Sequence, residues 1–139
     1  MRILYLWAGK EKSGVAAFEN RHTNSPIIVS VEIDEEADLT ICKDIADVTL
    51  GELEALGPFD FIWASPDCKV WSLANLHSGH WKKDNWAGTF IPQTPKAKGM
   101  IARVKHTLWL IENLRPTYWI LENPFGILRH MEFMWKYMR

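Results

Sequence analysis

The chain is predicted to fold as an α/β protein with an open parallel sheet, and two observations predict this. Apolar runs of strand length alternate along the chain with segments of helical character. Nearly every apolar run ends in glycine or polar residues, which is typical of parallel strands that end at one edge of a sheet. Because the connecting helices cover such a sheet, we expect helices on both of its faces.

The first half of the chain holds three predicted strands and two predicted helices. In order, they are a strand over 2–7, a helix over 13–20, a strand over 27–31, a short strand over 39–42 and a helix over 50–56. The strands are apolar and partly β-branched, which favours extended backbone. Gly57-Pro58 ends the second helix.

The second half adds two strands, a long loop and two helices. They are a strand over 59–64, a loop over 69–95, a helix from Pro95 to about Arg115, a strand over 118–121 and a helical segment from about Gly126 to the end. Thr94 suits the N-cap of the long helix and Pro95 suits its first turn. The loop is rich in Trp, Lys, His and Gly without a steady period, and loops of this length usually carry a function.

The composition predicts one globular cytoplasmic domain. A chain of 139 residues with 47% hydrophobic and 24% charged residues can bury a core and is not disordered. No apolar stretch approaches the ~20 residues that cross a bilayer, and no signal peptide is evident, so no membrane partner is expected. The two cysteines, Cys42 and Cys68, are too few for a disulfide scaffold, and we expect Cys42 to be buried in its strand.

The charges are distributed unevenly along the chain. Residues 69–105 hold seven Lys or Arg against the single acid Asp84, whereas residues 1–68 hold five bases against thirteen acids. A basic segment on an acidic protein suits a polyanion that approaches from one side, although a solvated loop and helix face would have the same composition.

Two features of the sequence indicate a cofactor and a nucleophile. Gly9 follows the first strand and Glu32 the second, 23 positions later. At this spacing a glycine turn lets a nucleoside cofactor approach, and the acid can bind its ribose hydroxyls. Cys68 lies one turn beyond the fourth strand, beside Lys69, and is a candidate nucleophile. Glu122, at the end of the next strand, is the acid or base that such a nucleophile needs.

Five segments at the predicted strand ends occur in a recognisable order and spacing. They are Trp7-Ala8-Gly9, Val31-Glu32-Ile33-Asp34, Asp44-Ile45, Ser65-Pro66-Asp67-Cys68 and Leu121-Glu122-Asn123-Pro124. Together they resemble the motifs of the DNA cytosine-5 methyltransferases, above all the short phage and prophage type, over about residues 2–137. The resemblance implies a Rossmann-like class I methyltransferase fold with about five parallel strands in the order 3-2-1-4-5.

The resemblance also implies a role for these residues. Cys68 would attack C6 of a cytosine flipped out of DNA, while Glu122, followed by Asn123, contacts N3. C5 would then take the methyl group of S-adenosylmethionine, and S-adenosylhomocysteine would be the second product. The implied cofactor-binding residues are Trp7, Gly9, Glu32, Asp44, Ser65 and Pro66. The implied DNA-binding residues are Lys69, Ser72, Lys82 and Lys83, with Trp71, Trp81 or Trp86 on bases or as loop anchors.

This chain departs from the family pattern in three places. The first motif is longer than usual, so either Gly9 or Gly14 can line the cofactor. Asp67 replaces a proline and puts a negative charge beside Cys68. No segment corresponds to a target recognition domain, so residues 1–139 are expected to form one partial catalytic domain. Its expected partners are DNA and either a second copy of the chain or another chain that supplies a C-terminal half.

Other functions stay open on the sequence alone. An amino-methyltransferase would use a Ser-Pro loop similar to Ser65-Pro66, but it needs an aromatic residue where Cys68 stands. A catalytically inactive protein that binds the cofactor or DNA with a partner is the third reading. A metal site is not expected, because His77 and His80 lack a second ligand pair at suitable spacing.

Overall fold

Seven strands lie in residues 1–9, 26–33 and 40–138, the part of the chain described by a computed structural model. They are β1 (Arg2–Leu6), β2 (Ile27–Glu32), β3 (Ile41–Cys42), β4 (Phe61–Ala64), β5 (Trp81–Asp84), β6 (Thr89–Pro92) and β7 (Tyr118–Leu121). Five of them form a parallel sheet in the order β3-β2-β1-β4-β7. The strands β5 and β6 form a separate antiparallel hairpin.

The five-stranded sheet confirms the predicted α/β fold and strand order, because β7 is the fifth strand that the sequence predicts. The central strand β1 lies between β2 and β4, with Leu4 in register with Val29 on one side and Ile62 on the other. The predicted helix over 13–20 lies outside the described residues, as do Gly14 and Asp34. Helices on both faces of the sheet therefore stay a prediction.

The hydrophobic core covers one face of the sheet. Leu4, Leu6, Val29, Val31, Ile62 and Ala64 supply the sheet side of this core. The helices α1 (Leu50–Leu56) and α2 (Pro95–Leu114) supply Leu53, Leu110 and Ile111. Burial of each aliphatic side chain of this size contributes roughly 1.5–3 kcal/mol to the free energy of folding. This packing stabilises the sheet whose strands end in the polar residues.

Both helices begin at capping residues. Thr49 and Glu52 form a reciprocal capping box at the start of α1: Thr49 Oγ1 accepts from Glu52 N at 3.3 Å, and Glu52 Oε2 accepts from Thr49 N at 2.9 Å. Thr94 Oγ1 accepts from Ala97 N at 3.2 Å at the start of α2. The predicted starts and ends of both helices are confirmed, since α1 ends before Gly57 and α2 before Arg115.

Two expectations, the loop over 69–95 and the burial of Cys42, are wrong. Residues 69–95 are not one loop, because they hold a 3-10 helix (Leu73–Ser78) and the β5–β6 hairpin. The predicted helical segment at the C-terminus is confirmed, in the form of two 3-10 helices, Ile127–His130 and Glu132–Tyr137. Cys42 is exposed rather than buried, because it ends a two-residue strand at the edge of the sheet.

The chain divides into two compact units. The sheet unit comprises Met1–Pro66 and His106–Glu122, and the hairpin unit comprises Asp67–Lys105 and Asn123–Arg139. The sheet unit carries six Lys or Arg and fourteen Asp or Glu, a net charge of −8, whereas the hairpin unit carries ten and three, a net charge of +7. None of the helices seen in the described ranges is long and apolar enough to cross a membrane.

Candidate active site and nucleic-acid interface

The turn after β1 brings Gly9 and Glu32 together, as their spacing predicts. Glu32 Oε2 accepts from Gly9 N at 3.0 Å, and Glu32 Oε1 accepts from Ile33 N at 2.8 Å. Trp7 and Gly9 have positive φ values of 63° and 67°. Such values are uncommon for a residue with a side chain, and they cluster at functional sites. Apart from its chain neighbours, no atom of the described residues lies within 4 Å of the place that a Gly9 Cβ would occupy.

The Trp7 indole is held by a residue that sequence reasoning missed. Trp7 Nε1 donates to Thr107 Oγ1 at 3.1 Å, and Thr107, on α2, is fully buried. A hydroxyl on the apolar face of a helix, between Val104 and Leu108, was the available signal, because a buried polar group needs a partner.

Asp44 follows β3 at the carboxyl ends of the parallel strands, the end of the sheet where Glu32 also lies. Its Oδ1 accepts from Ala46 N at 2.9 Å and caps the 3-10 helix Ile45–Asp47. Lys43 N donates to Glu32 O at 3.0 Å and continues the β2–β3 pairing to this point. Glu32, predicted to bind the ribose, ends β2, and Asp44, another predicted cofactor-binding residue, follows the neighbouring strand β3.

Ser65 and Glu122 are in direct contact at the ends of β4 and β7. Ala64 and Leu121 are in register, and Glu122 N donates to Ala64 O at 2.8 Å. One residue beyond each strand, Ser65 Oγ donates to Glu122 Oε2 at 2.8 Å. A hydrogen bond to a carboxylate is among the stronger ones in proteins, so Ser65 orients the predicted acid. Pro66, the next residue, is buried.

Tyr5 is a second residue that sequence reasoning missed. The alternation of side chains along β1 points Tyr5 to the face opposite Leu4 and Leu6, which pack into the core. Burial raises the pKa of the Tyr5 hydroxyl, and the negative charges of Glu122 and then Glu32 raise it further. A neutral phenol therefore lies within the field of both carboxylates. The sequence signal was a hydroxyl between the apolar residues Leu4 and Leu6.

In the hairpin unit, the turn that carries Cys68 is closed by hydrogen bonds. Asp67 Oδ1 accepts from Lys69 N at 2.9 Å, and Cys68 O accepts from both Trp71 N and Ser72 N at 3.0 Å. The Cys68 side chain is exposed. Asp67, which departs from the family pattern, therefore folds this turn, since Asp readily binds the backbone two residues ahead. Cys68 belongs to the hairpin unit and Glu122 to the sheet unit.

Buried aromatic residues support the Cys68 turn from within the hairpin unit. Trp71 is fully buried and stacks on Trp81 with 5.1 Å between the ring centroids. Trp81 Nε1 donates to Val70 O at 2.7 Å, and Ile127 N donates to Trp71 O at 2.8 Å. Trp71 and Trp81 are therefore anchors of the turn, one of the two roles that the sequence left open for them.

The predicted DNA-binding residues all belong to the hairpin unit. Lys69, Lys82 and Lys83 are exposed, the last two on β5. Ser72 is half-buried, and its Oγ accepts from Ala74 N at 3.2 Å to cap the 3-10 helix. Asn123, the predicted partner of Glu122 in catalysis, is half-buried and begins the second segment of the unit.

Within the described ranges, no group of three or more His, Cys, Asp or Glu could hold a metal ion. The predicted site residues form two sets, one at the strand ends of the sheet unit and one on the hairpin unit.

Neither the protein-family models nor the curated proteins searched contain a match to this chain.

Proposed function

We propose that the protein transfers a methyl group from S-adenosylmethionine to C5 of cytosine in DNA. The observation that carries the proposal is the 2.8 Å hydrogen bond from Ser65 to the Glu122 carboxylate, at the ends of two neighbouring strands. The turn that follows Ser65 along the chain carries the exposed Cys68 thiol. A strand-end acid and a strand-end thiol are the two groups that covalent addition to a pyrimidine requires.

The edge of the sheet unit suits the polar groups of the cofactor. Glu32 would accept hydrogen bonds from the ribose hydroxyls, because each of its oxygens has a second lone pair beyond the bonds from Gly9 and Ile33. Asp44 would accept from the adenine amino group, and Gly9, which has no Cβ, would let the cofactor approach the backbone closely. When bound, S-adenosylmethionine supplies an electrophilic methyl group. Trp7, Ser65 and Pro66 would complete the pocket.

The proposed reaction has two steps, the addition of Cys68 to the cytosine and its later elimination. The Cys68 thiolate would form a bond to C6 while Glu122 holds a proton at N3, and the electron pair displaced from the C5–C6 double bond would make C5 nucleophilic. After C5 has gained the methyl group, loss of its proton to a base restores the double bond and expels the Cys68 thiolate. Ser65 would keep Glu122 aimed at N3 throughout.

The charge of the hairpin unit supports DNA as the substrate. Its net charge of +7, set against −8 on the sheet unit, concentrates positive potential on the part of the chain that carries Cys68. Phosphate contacts by exposed lysines provide affinity without sequence preference. Lys69, Lys82 and Lys83 are the residues that we assign to this role.

A covalent trap tests the proposal. Fluorine at C5 of cytosine blocks the loss of a proton, so DNA with 5-fluorocytosine should remain attached to the protein when S-adenosylmethionine is present. We expect a denaturation-resistant adduct with the wild type and with Cys42→Ala, which removes the other exposed thiol. Cys68→Ala should form none. An adduct that persists in Cys68→Ala would contradict the assignment.

The same experiment separates the alternatives. Methylation of ordinary DNA without any trapped adduct would favour an amino-methyltransferase. Binding of the cofactor or of DNA without methylation would favour a catalytically inactive protein. Base analysis of the methylated product identifies the modified atom directly.

A further inference from the structure

The β5–β6 hairpin carries one tryptophan at its tip. Its strands pair antiparallel from Trp81 with Pro92 to Asp84 with Thr89, and residues 85–88 form the connecting loop. Trp86 lies in this loop and is 100% exposed. Both faces of the Trp86 indole are therefore open to a ligand, and the flat π-face of an indole favours stacking on another ring.

The base of the hairpin is firmly attached within the hairpin unit. Trp81 and Phe90 are buried, and Trp81 stacks on Trp71. Thr89 Oγ1 donates to His130 O at 2.8 Å, and the Phe90 ring meets the His130 ring edge-on at 5.7 Å. The hairpin that presents Trp86 therefore packs against the C-terminal segment of the same unit.

The loop at the tip is also ordered by its own hydrogen bonds. Asp84 Oδ1 accepts from Trp86 N at 3.0 Å and from Ala87 N at 3.2 Å, and Asp84 O accepts from Gly88 N at 3.0 Å. Gly88 has a φ of 67°, which a residue without a Cβ adopts readily. The tip is thus fixed before any ligand binds, which lowers the entropy lost on binding.

The strand that leads to the tip carries two positive charges, which suit a polyanion. Lys82 and Lys83 are exposed, and as successive residues of one strand they leave its two faces. Asp84 is the one acid of residues 69–105, and its carboxylate is directed at the loop amides. An exposed indole at the end of a strand that carries two exposed lysines fits a nucleobase of a strand whose phosphates the lysines contact, since single-strand binding proteins combine stacking aromatics with basic residues.

We propose that Trp86 stacks on an unpaired nucleobase, with Lys82 and Lys83 at the phosphates on either side. The choice of DNA as the nucleic acid rests on the proposed function, whereas the stacking itself needs neither the cofactor nor Cys68. The tip would hold a base that has left its pair, or the neighbour of such a base. The preferred ligand is therefore single-stranded DNA or a duplex with one unpaired base.

Binding of fluorescent oligonucleotides, followed by anisotropy without cofactor, tests the proposal. The ligands are a single-stranded DNA, its perfect duplex, the duplex with one unpaired base, and a single-stranded RNA of the same sequence. Trp86→Ala should weaken binding to single strands by ~10- to 100-fold, the usual effect of losing one base stack, and binding to the perfect duplex far less. Trp86→Phe should retain most of the affinity.

Two controls distinguish stacking from loss of structure or charge. Trp135→Ala removes another exposed tryptophan of the hairpin unit and should leave binding unchanged. Lys82→Ala and Lys83→Ala should each reduce the slope of log affinity against log salt by about 0.7 for single strands, whereas Trp86→Ala should leave this slope unchanged. Tighter binding of the RNA than of the DNA would identify RNA as the source of the base.

Two results would overturn the proposal: equal affinity of Trp86→Ala and the wild type for single strands, or an equal loss with Trp135→Ala. Failure of methyl transfer is a separate outcome. A protein that stacks bases but forms no adduct would retain this inference and lose the proposed reaction.

Discussion

Ser65 holds one oxygen of the Glu122 carboxylate and thereby sets the direction of the other. The contact joins residues 57 positions apart, and it exists because β4 and β7 are neighbours in register. Glu122 is exposed, so without the hydrogen bond from Ser65 its carboxylate would occupy several rotamers. In the proposed reaction, this one hydroxyl decides how often the acid is aimed at N3.

Replacing Ser65 should therefore slow adduct formation without abolishing it. We expect Ser65→Ala to lower the single-turnover rate of 5-fluorocytosine trapping by about tenfold, since hydrogen bonds to charged groups are worth roughly 1.5–3 kcal/mol. Ser65→Thr retains the hydroxyl and should remain near the wild type. A wild-type rate in Ser65→Ala would mean that the contact does not orient the acid.

Among the secondary-structure elements, α1 has the clearest electrostatic dependence. Glu52 accepts from the Lys43 ammonium and from Thr49, and these bonds lower its pKa to about 2, with Lys43 the largest cause. Ionised Glu52 therefore stabilises the folded state at any pH above its ordinary pKa of 4.5. This contribution is lost as the pH falls through about 2.

Chemical denaturation at several pH values tests this dependence. Glu52→Gln should lower the free energy of unfolding at pH 7, and its difference from the wild type should shrink as the pH falls from about 4.5 to about 2. A difference for Glu52→Gln that is constant over this range would contradict the assignment.

Gly126 joins the C-terminal segment to the Cys68 turn. A Cβ at Gly126 would lie 2.4 Å from Trp71 O, a backbone atom that cannot rotate away. Ser72 and Gly126 also form an antiparallel bridge. We expect Gly126→Ala to destabilise the protein by roughly 1–3 kcal/mol, as other forced overpacking does, and to reduce adduct formation because the Cys68 turn must shift.

Gly51→Ala is the matched control for this substitution. Gly51 lies inside α1, and a Cβ there would meet no described atom within 4 Å. Alanine is the better helix former, so this variant should be more stable by roughly 0.5–1 kcal/mol. Thermal or denaturant unfolding of both variants measures the contrast, and equal stabilities would refute the close contact at Gly126.

The elements that sequence reasoning missed had weak or misread signals. The hairpin was hidden because β5 (Trp81–Asp84) has a buried tryptophan followed by two exposed lysines and so does not alternate. Its signal was Gly88 before the β-favouring run 89–91. The final segment, by contrast, was predicted to be helical, and it buries Leu128, Met131 and Met134 at a spacing of three, which is the period of a 3-10 helix.

For the molecule as a whole, the two units separate charge. The hairpin unit has a net charge of +7 and the sheet unit −8, although the chain totals only −1. A nearly neutral protein can therefore bind a polyanion through one unit. The position of a charge should then matter more than the total.

Two charge reversals of equal size test this separation. Lys96→Glu in the hairpin unit and Arg115→Glu in the sheet unit both remove two positive units from the net charge. We expect Lys96→Glu to weaken DNA binding and to flatten its salt dependence, with a slope smaller by about 1 for duplex DNA. Arg115→Glu should bind as the wild type does. Equal weakening by both variants would mean that only the net charge acts.

The sequence predicted the main sheet and much of the site for physical reasons. Buried parallel strands are nearly all apolar, so β1, β2 and β4 can be recognised as apolar runs. The polar residues and glycines that follow these runs must lie at the ends of the strands. Contacts such as Ser65 with Glu122 depend on strand order, which follows from the fold. The partners of Trp7 and the place of Tyr5 depend on packing directions that one-dimensional spacing does not contain.

The hydrogen bonds of Asp84 have a consequence for how the binding preference of this protein can change. They hold the amides of Trp86 and Ala87, not their side chains, so the shape of the tip does not depend on which side chain stands at position 86. Substitutions there should cost little stability. The hairpin tip is thus a site where evolution or an engineer can exchange one contact for another while the scaffold stays the same.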